Sequence, residues 1–326
     1  MIKKYLGRLR VVRSVILNYY ADYKLFINHS LYRNKKSFEN LEADLILNYH
    51  SIEKGLLFEN TRPYFAKERV MKLHKILIKD SIISNVHKSQ VKVGYQVMCE
   101  YFELHQKLGF EIKDFYTIEQ YYFYKSKLAC YYQPSFSGAI EFERTEFYNS
   151  INTNFQEFSN SRKSIRNFTG EKIDIERIKT AIDLAKNAPS VCNRQASKVY
   201  LVEDKLKIDK ILKIQGGFTG YSENVSQLLI LTNDRSYYYT LGERNQFYID
   251  GGLFLLNLLY ALHFYKIANC PANWGKLVQE EKLLDHVIKI PKAEKIICMI
   301  PIGEAVQNFK VTLSKRRDTE EILKIV

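Results

Sequence analysis

Apolar residues recur at helical spacing from the very start of the chain. Ile2, Leu6, Leu9, Val12, Ile16, Tyr19 and Tyr23 form one stripe, and Lys3, Lys4, Arg8 and Arg13 lie mostly on other faces, which predicts an amphipathic basic helix. The same period dominates up to about residue 150, in a stretch rich in Tyr, Lys and Leu and poor in Gly, so residues 1–150 read as a helical N-terminal region. From about 151 the texture changes. Ile175, Ile178, Ile182 and Ala185 predict a helix over 174–187, with Asp174 as N-cap, a turn at Thr169-Gly170 before it and a stop at Pro189 after it. KVYLVED (198–204), QLLILTND (227–234) and EKIICMIPIGE (294–304) read as strands, and IDGGLFLLNLLYALHFYKI (249–267) as a buried helix. Strands separated by helices imply an α+β domain built on one sheet over 151–326, with no internal repeat and no low-complexity linker.

Composition sharpens this picture without changing it. With 46% hydrophobic and 13% aromatic residues, 326 residues bury a substantial core. The formal charge of +13 implies attraction to anions: nucleic acid, an anionic membrane surface or a phosphorylated ligand. Nucleic acid ranks last, for want of aromatic-studded strands or a recognition-helix motif. Five cysteines, an odd number without a CxxC pair, suggest neither a zinc site nor a complete disulfide framework, and a reducing cytoplasm is the simplest home. The basic start MIKKYLGRLR does not settle into a signal peptide. The greasiest run, GGLFLLNLLYALHF (251–264), falls short of the roughly 20 residues that span a bilayer, so the chain reads as soluble or peripheral. For the first helix, over residues 1–24, two readings stand: docking on an anionic membrane or acidic partner, or packing on its own domain with a solvated charged face.

Three stretches carry candidate chemistry. In NYHSIEKGLLFENTRPYF (48–65), His50, Glu53 and Lys54 share a helical face that Gly55 ends, with Pro63 in the loop beyond. They form either an acid/base or substrate-binding group or a polar anchor, and the spacing supports no metal. In SRKSIRNF (161–168), Arg162, Lys163, Ser164 and Arg166 combine the fork, point charge and hydroxyl that suit a phosphate, although a basic cluster on its own is more often solvated surface. APSVCNRQ (188–195) then sets Ser190, Asn193 and Gln195 on a turn where amides and carboxamides could read a polar ring edge.

Taken together, Arg-x-Ser-x-Arg followed after a helix by Ala-Pro-Ser-x-x-Asn-x-Gln resembles the FMN-dependent nitroreductase family over residues 155–326. GERNQFYIDGGLFLLNLLYALHFYKI is similar to that family's central dimer helix, NCPANW (269–274) to its flavin-facing loop, IPIGE (300–304) to its penultimate strand, and LSKRRDTEEIL (313–323) to its C-terminal basic segment. The resemblance implies a three-layer sandwich, a central mixed sheet with helices on both faces, and a homodimer with FMN at the subunit interface. It implies that Arg162, Lys163, Ser164 and Arg166 hold FMN, with Arg316 as a further phosphate ligand. Pro189, Ser190 and Val191 would contact the ring or ribityl chain, with Asn193 and Gln195 nearby and Gln215 a candidate for the pyrimidine edge, and Pro271, Ala272 and Asn273 would turn backbone amides to flavin N5 and O4. No catalytic side chain is implied, since FMN takes hydride from NAD(P)H and passes it to an acceptor such as a nitroaromatic, a quinone or a polysaccharide-pathway metabolite.

This chain departs from the family pattern in places. Ala196 and Ser197 stand where Pro and an aromatic residue are frequent, and the segments between 204 and 227 and between 234 and 249 are short, which reduces the lid over the substrate. Cys192 and Cys270 would lie near the flavin as thiols or as small buried hydrophobes, and Trp274 would stack on the cofactor or sit in the core. The N-terminal extension resembles that of a subgroup found among bacterial surface-polysaccharide genes. A rival reading therefore makes the protein a flavin-binding or flavin-free scaffold of a membrane-associated polysaccharide assembly system.

Overall fold

The computed structural model describes residues 2–30 and 37–326, with side chains described for 9–30 and 37–326. The side chains of Ile2, Lys3, Lys4, Leu6 and Arg8 therefore lie outside the described residues. The chain divides into two compact units, Met1–Ile140 with Thr312–Val326, and Glu141–Val311. The C-terminal segment thus belongs with the helices rather than with the sheet to which residues 151–326 were assigned.

The first unit contains α1 (Ile2–His29), α2 (Phe38–Gly55), α3 (Lys67–Leu77), α4 (Asp80–Ile83), α5 (Ser89–Lys107) and α6 (Ile118–Leu128). Caps set two of the starts. Ser37 accepts the Asn40 amide ahead of α2, and Thr117 and Gln120 form a reciprocal capping box on α6. Leu41, Leu45, Tyr49 and Ile52 give α2 its buried face, and Gly94 lets α5 come close, because a Cβ there would stand 2.8 Å from Leu45. The tyrosine-rich composition finds its use here. Tyr95, Tyr101, Tyr116 and Tyr124 are fully buried, and their hydroxyls reach the Leu77, Phe65 and Met98 carbonyls and His74 Nδ1 respectively, so the rings fill the core while the polar tips stay bonded. The C-terminal segment is fastened by an ion pair from Arg317 to Glu42 (2.8 Å) and by a bond from the Gln90 carboxamide to the Lys315 carbonyl (3.1 Å).

The chain enters the second unit through β1 (Ala139–Glu143), followed by α7 (Arg144–Phe147), α8 (Phe155–Ser161), α9 (Ile175–Ala185), β2 (Ser197–Val202), α10 (Lys205–Gln215), β3 (Gln227–Asp234), α11 (Gln246–Phe264), β4 (Ala268–Asn269), β5 (Ala272–Asn273), α12 (Val278–Leu284), β6 (Glu294–Gly303) and β7 (Asn308–Thr312). The main sheet has the order β2-β3-β6-β4, with β5 also on β6. β3 is buried from Gln227 to Asn233, as its continuous apolar run predicts, and both faces are covered: Leu229 joins the cluster with α9 and α11, and α10 packs on the strand. The α+β layering matches expectation. Strand direction does not, since every pairing in this sheet is antiparallel where a mixed sheet was expected. The reason lies in the α10 excursion, which leaves and returns at one end of the sheet and sets Val202 opposite Leu228.

α11 runs over 19 residues, longer than its apolar run alone suggests, and ends early because Lys266 takes a left-handed φ of 54°. By length and composition it could cross a membrane. Leu258, Leu262 and Phe247 are nevertheless buried in the unit, and Gly251 lies so near β6 that a Cβ would come within 2.7 Å of Ile297. The expected burial is one-sided. Tyr248, Ile249, Leu253 and Leu256 on this helix are exposed.

Candidate functional site

The cradle 162–166 leaves α8 as extended backbone stitched into the sheet. The Ile165 amide donates to the Asn269 carbonyl (2.9 Å), Phe168 bridges Ala305, and the Thr169 amide donates to Glu304 (3.0 Å). Ile165 and Phe168 drop into the core, which leaves Arg162, Lys163 and Ser164 half-buried between them and the helix end. Arg166 is buried, at 9% exposure. Among the described residues its guanidinium makes one long hydrogen bond, 3.5 Å to the Ser164 carbonyl, and no ion pair. A buried guanidinium without a carboxylate is costly unless an anion or electron-rich group completes it. His263 of α11 reports the local field: burial, then Arg162 and Lys163, push its imidazole down to about 4, and its Nε2 lies 2.7 Å from Ser161 Oγ.

The second group is the loop 188–195, which follows α9. Cys192, Asn193 and Gln195 all have left-handed φ, of 49°, 55° and 49°, a strained run that a web of bonds holds in place. The Gln195 amide donates to Ser190 Oγ (3.0 Å), the Gln195 carboxamide donates to Asn193 Oδ1 (3.0 Å), and the Val191 amide donates to Asp250 (3.2 Å). Asp250 is a buried hub that also accepts from Tyr238 and Gln246. Arg194 forks onto Glu243, whose carboxyl is held down to about 2 by that guanidinium and by the Tyr239 and Thr240 amides. A cleft of about 320 Å³ opens beside the loop, lined by Pro189, Ser190, Gln195, Ser197, Asp250 and Phe254 among others. Sequence reasoning missed Asp250 and the Arg194–Glu243 pair. The signal for Asp250 was a lone acid at the head of an apolar run.

Pro271, Ala272 and Asn273 lead into and form β5, paired with Met299 and Cys298 of β6. Gln215 clamps this strand: its carboxamide donates to the Asn273 carbonyl (2.8 Å) and accepts from the Gly217 amide (2.7 Å). One N–H and one lone pair of the carboxamide remain. Trp274 is a core residue, 5% exposed, and its buried Nε1 has no hydrogen-bond partner among the described residues. Cys270 is buried and Cys192 exposed. Arg316 belongs to the first unit, where its guanidinium donates to the Ser314 carbonyl (3.1 Å). So does the HSIEKG stretch. Glu53 is fully buried with one oxygen 2.8 Å from His50 Nδ1, and the nearby Glu100 carboxyl is pushed up to about 7 chiefly by burial, which fits a polar anchor set between α2 and α5.

Within one copy the cradle and the loop do not meet. Ser161 touches His263 near the end of α11, whereas Val191 touches Asp250 near its start. Thirteen residues at 1.5 Å rise separate those contacts by about 20 Å along the helix.

Residues 160–228 match the model of the Nitroreductase family. Among solved structures, the chain is similar to a proposed nitroreductase in complex with FMN from Desulfovibrio desulfuricans (19% identity, 52% of this chain and 95% of that chain, TM-score 0.44). It is also similar to a proposed NAD(P)H:FMN oxidoreductase from Staphylococcus epidermidis (20%, 53% and 96%, 0.46) and to a nitroreductase-like protein from Streptococcus mutans (20%, 53% and 97%, 0.45). No curated protein matches the chain.

Proposed function

We propose that the second unit binds FMN and, as a homodimer, uses NAD(P)H to reduce a small planar acceptor of the nitroaromatic or quinone kind. The observation that carries this reading is Arg166, a buried guanidinium without an acidic partner among the described residues, inside a segment that matches the Nitroreductase family model. FMN, when bound, supplies the hydride-accepting and hydride-donating ring. Arg162, Lys163 and Ser164 hold its phosphate through charge-assisted bonds, and Arg166 favours the electron-rich pyrimidine edge. The Ala272–Asn273 backbone, pinned by Gln215, faces the ring.

The separation along α11 supports the dimer. A cofactor held by the cradle of one copy is out of reach of that copy's own 188–195 loop, so the loop of the second copy closes the site. The exposed apolar face of α11, with Ile249, Leu253 and Leu256, is the surface on which the copies join.

The test is the visible absorption spectrum of the purified protein, followed by anaerobic addition of NADH and NADPH. A flavin spectrum that bleaches is the expected result. A protein that is colourless and refuses added FMN would contradict the reading.

A further inference from the structure

The first helix has no buried side chain among those described. From residue 9 to residue 29 every position of α1 is exposed or half-exposed, including Leu9, Val12, Ile16, Tyr19, Tyr23 and Phe26, which are between 48% and 62% exposed. At 3.6 residues per turn these six fall within an arc of about 100°. An apolar stripe of that length in water implies something that covers it.

Charge says what. Residues 1–24 contain six basic residues (Lys3, Lys4, Arg8, Arg10, Arg13, Lys24) against one acid, Asp22, a net charge of +5. Arg10, Arg13 and Lys24 fall along one flank of the stripe. We infer that α1 lies in the interface of an anionic lipid bilayer, its stripe among the upper acyl chains, its tyrosines at headgroup depth and its basic flank on lipid phosphates. A second copy of α1 fits less well. A parallel pair would bring together two segments that each carry +5 over residues 1–24, and like charges repel. None of the described side chains of α1 is buried, which favours a covering surface over packing on its own domain.

The inference stands apart from the flavin reading and is tested apart from it, with full-length protein and sedimented vesicles. Vesicles of phosphatidylcholine mixed with phosphatidylserine are expected to pellet the protein, pure phosphatidylcholine vesicles are not, and added salt weakens the effect. Arg10→Ser with Arg13→Ser is expected to lower partitioning about fivefold per cation removed. Ile16→Asp is expected to abolish it, and both variants should melt with the parent because the side chains they replace are exposed. Equal pelleting by neutral and anionic vesicles, or pelleting that neither variant changes, overturns the inference. So does a protein that ignores both vesicles and whose sedimenting mass halves on Ile16→Asp, which would make the occupant a second copy.

Discussion

The cradle at 162–166 and the loop at 188–195 reach their shapes by opposite means. The cradle is relaxed extended chain, stitched to neighbouring backbone and anchored by two buried apolar residues, and its cations gather on what is left over. The loop is strained, with three left-handed residues held by Asp250, Ser190 and the Arg194–Glu243 pair. The first owes its form to the sheet and its chemistry to composition. The second owes its form to a hydrogen-bond network, and in the proposed dimer the two would meet in one site across a pair of copies.

The largest effect should come from separating those copies. Leu253→Asp puts a carboxylate on the exposed apolar face of α11, and the expected result is a monomer that no longer retains flavin, read by sedimentation and absorbance. A monomer that kept its flavin would make the cradle sufficient and the loop irrelevant. Next comes Arg166→Ala, which removes the buried cation of the cradle. Loss of a charge-assisted bond of about 1.5–3 kcal/mol should weaken FMN roughly 10- to 150-fold in a fluorescence titration, with the loop and the fold intact. Unchanged affinity would assign Arg166 to the fold.

A pH effect distinguishes the cradle end of α11 from the loop end. His263 is held down to about 4 in the folded state against 6.5 when unfolded, so the unfolded chain binds more protons between those values. Stability is therefore full above about pH 6.5 and falls as pH drops toward 4. His74 in the first unit, lowered to about 4 by burial, adds to the same slope. Urea midpoints at pH 7 and pH 5 check this, and His263→Gln should flatten the slope without abolishing it.

The smallest effect concerns the entry to the loop. Asp174 stands at the N-cap of α9 as its sequence predicts, but its side chain makes no capping bond, whereas Asp204 ahead of α10 accepts the Lys207 amide at 3.1 Å. Asp204→Ala should cost about 1 kcal/mol and Asp174→Ala much less, measured by denaturant unfolding.

That contrast marks what the sequence made legible. Periodicity located α9, β3 and β6 to within a few residues, and residue type alone gathered Arg162, Lys163, Ser164 and Arg166 into one candidate cradle. Strand direction was not legible, because the return path of α10 depends on tertiary packing that no local period encodes. Nor was the clamp at Gln215, whose partners lie 58 residues away at Asn273 and two away at Gly217. The distance between cradle and loop was hidden for the same reason: motif order along the chain says nothing of their positions at the two ends of α11.

The central claim is that flavin is held by two copies together. Sedimentation velocity followed at both protein and flavin absorbance tests it most directly. The account predicts a single boundary at the mass of a dimer, carrying one flavin per copy at both wavelengths. Flavin travelling with a monomer, or a dimer that sediments without flavin in saturating FMN, would contradict it.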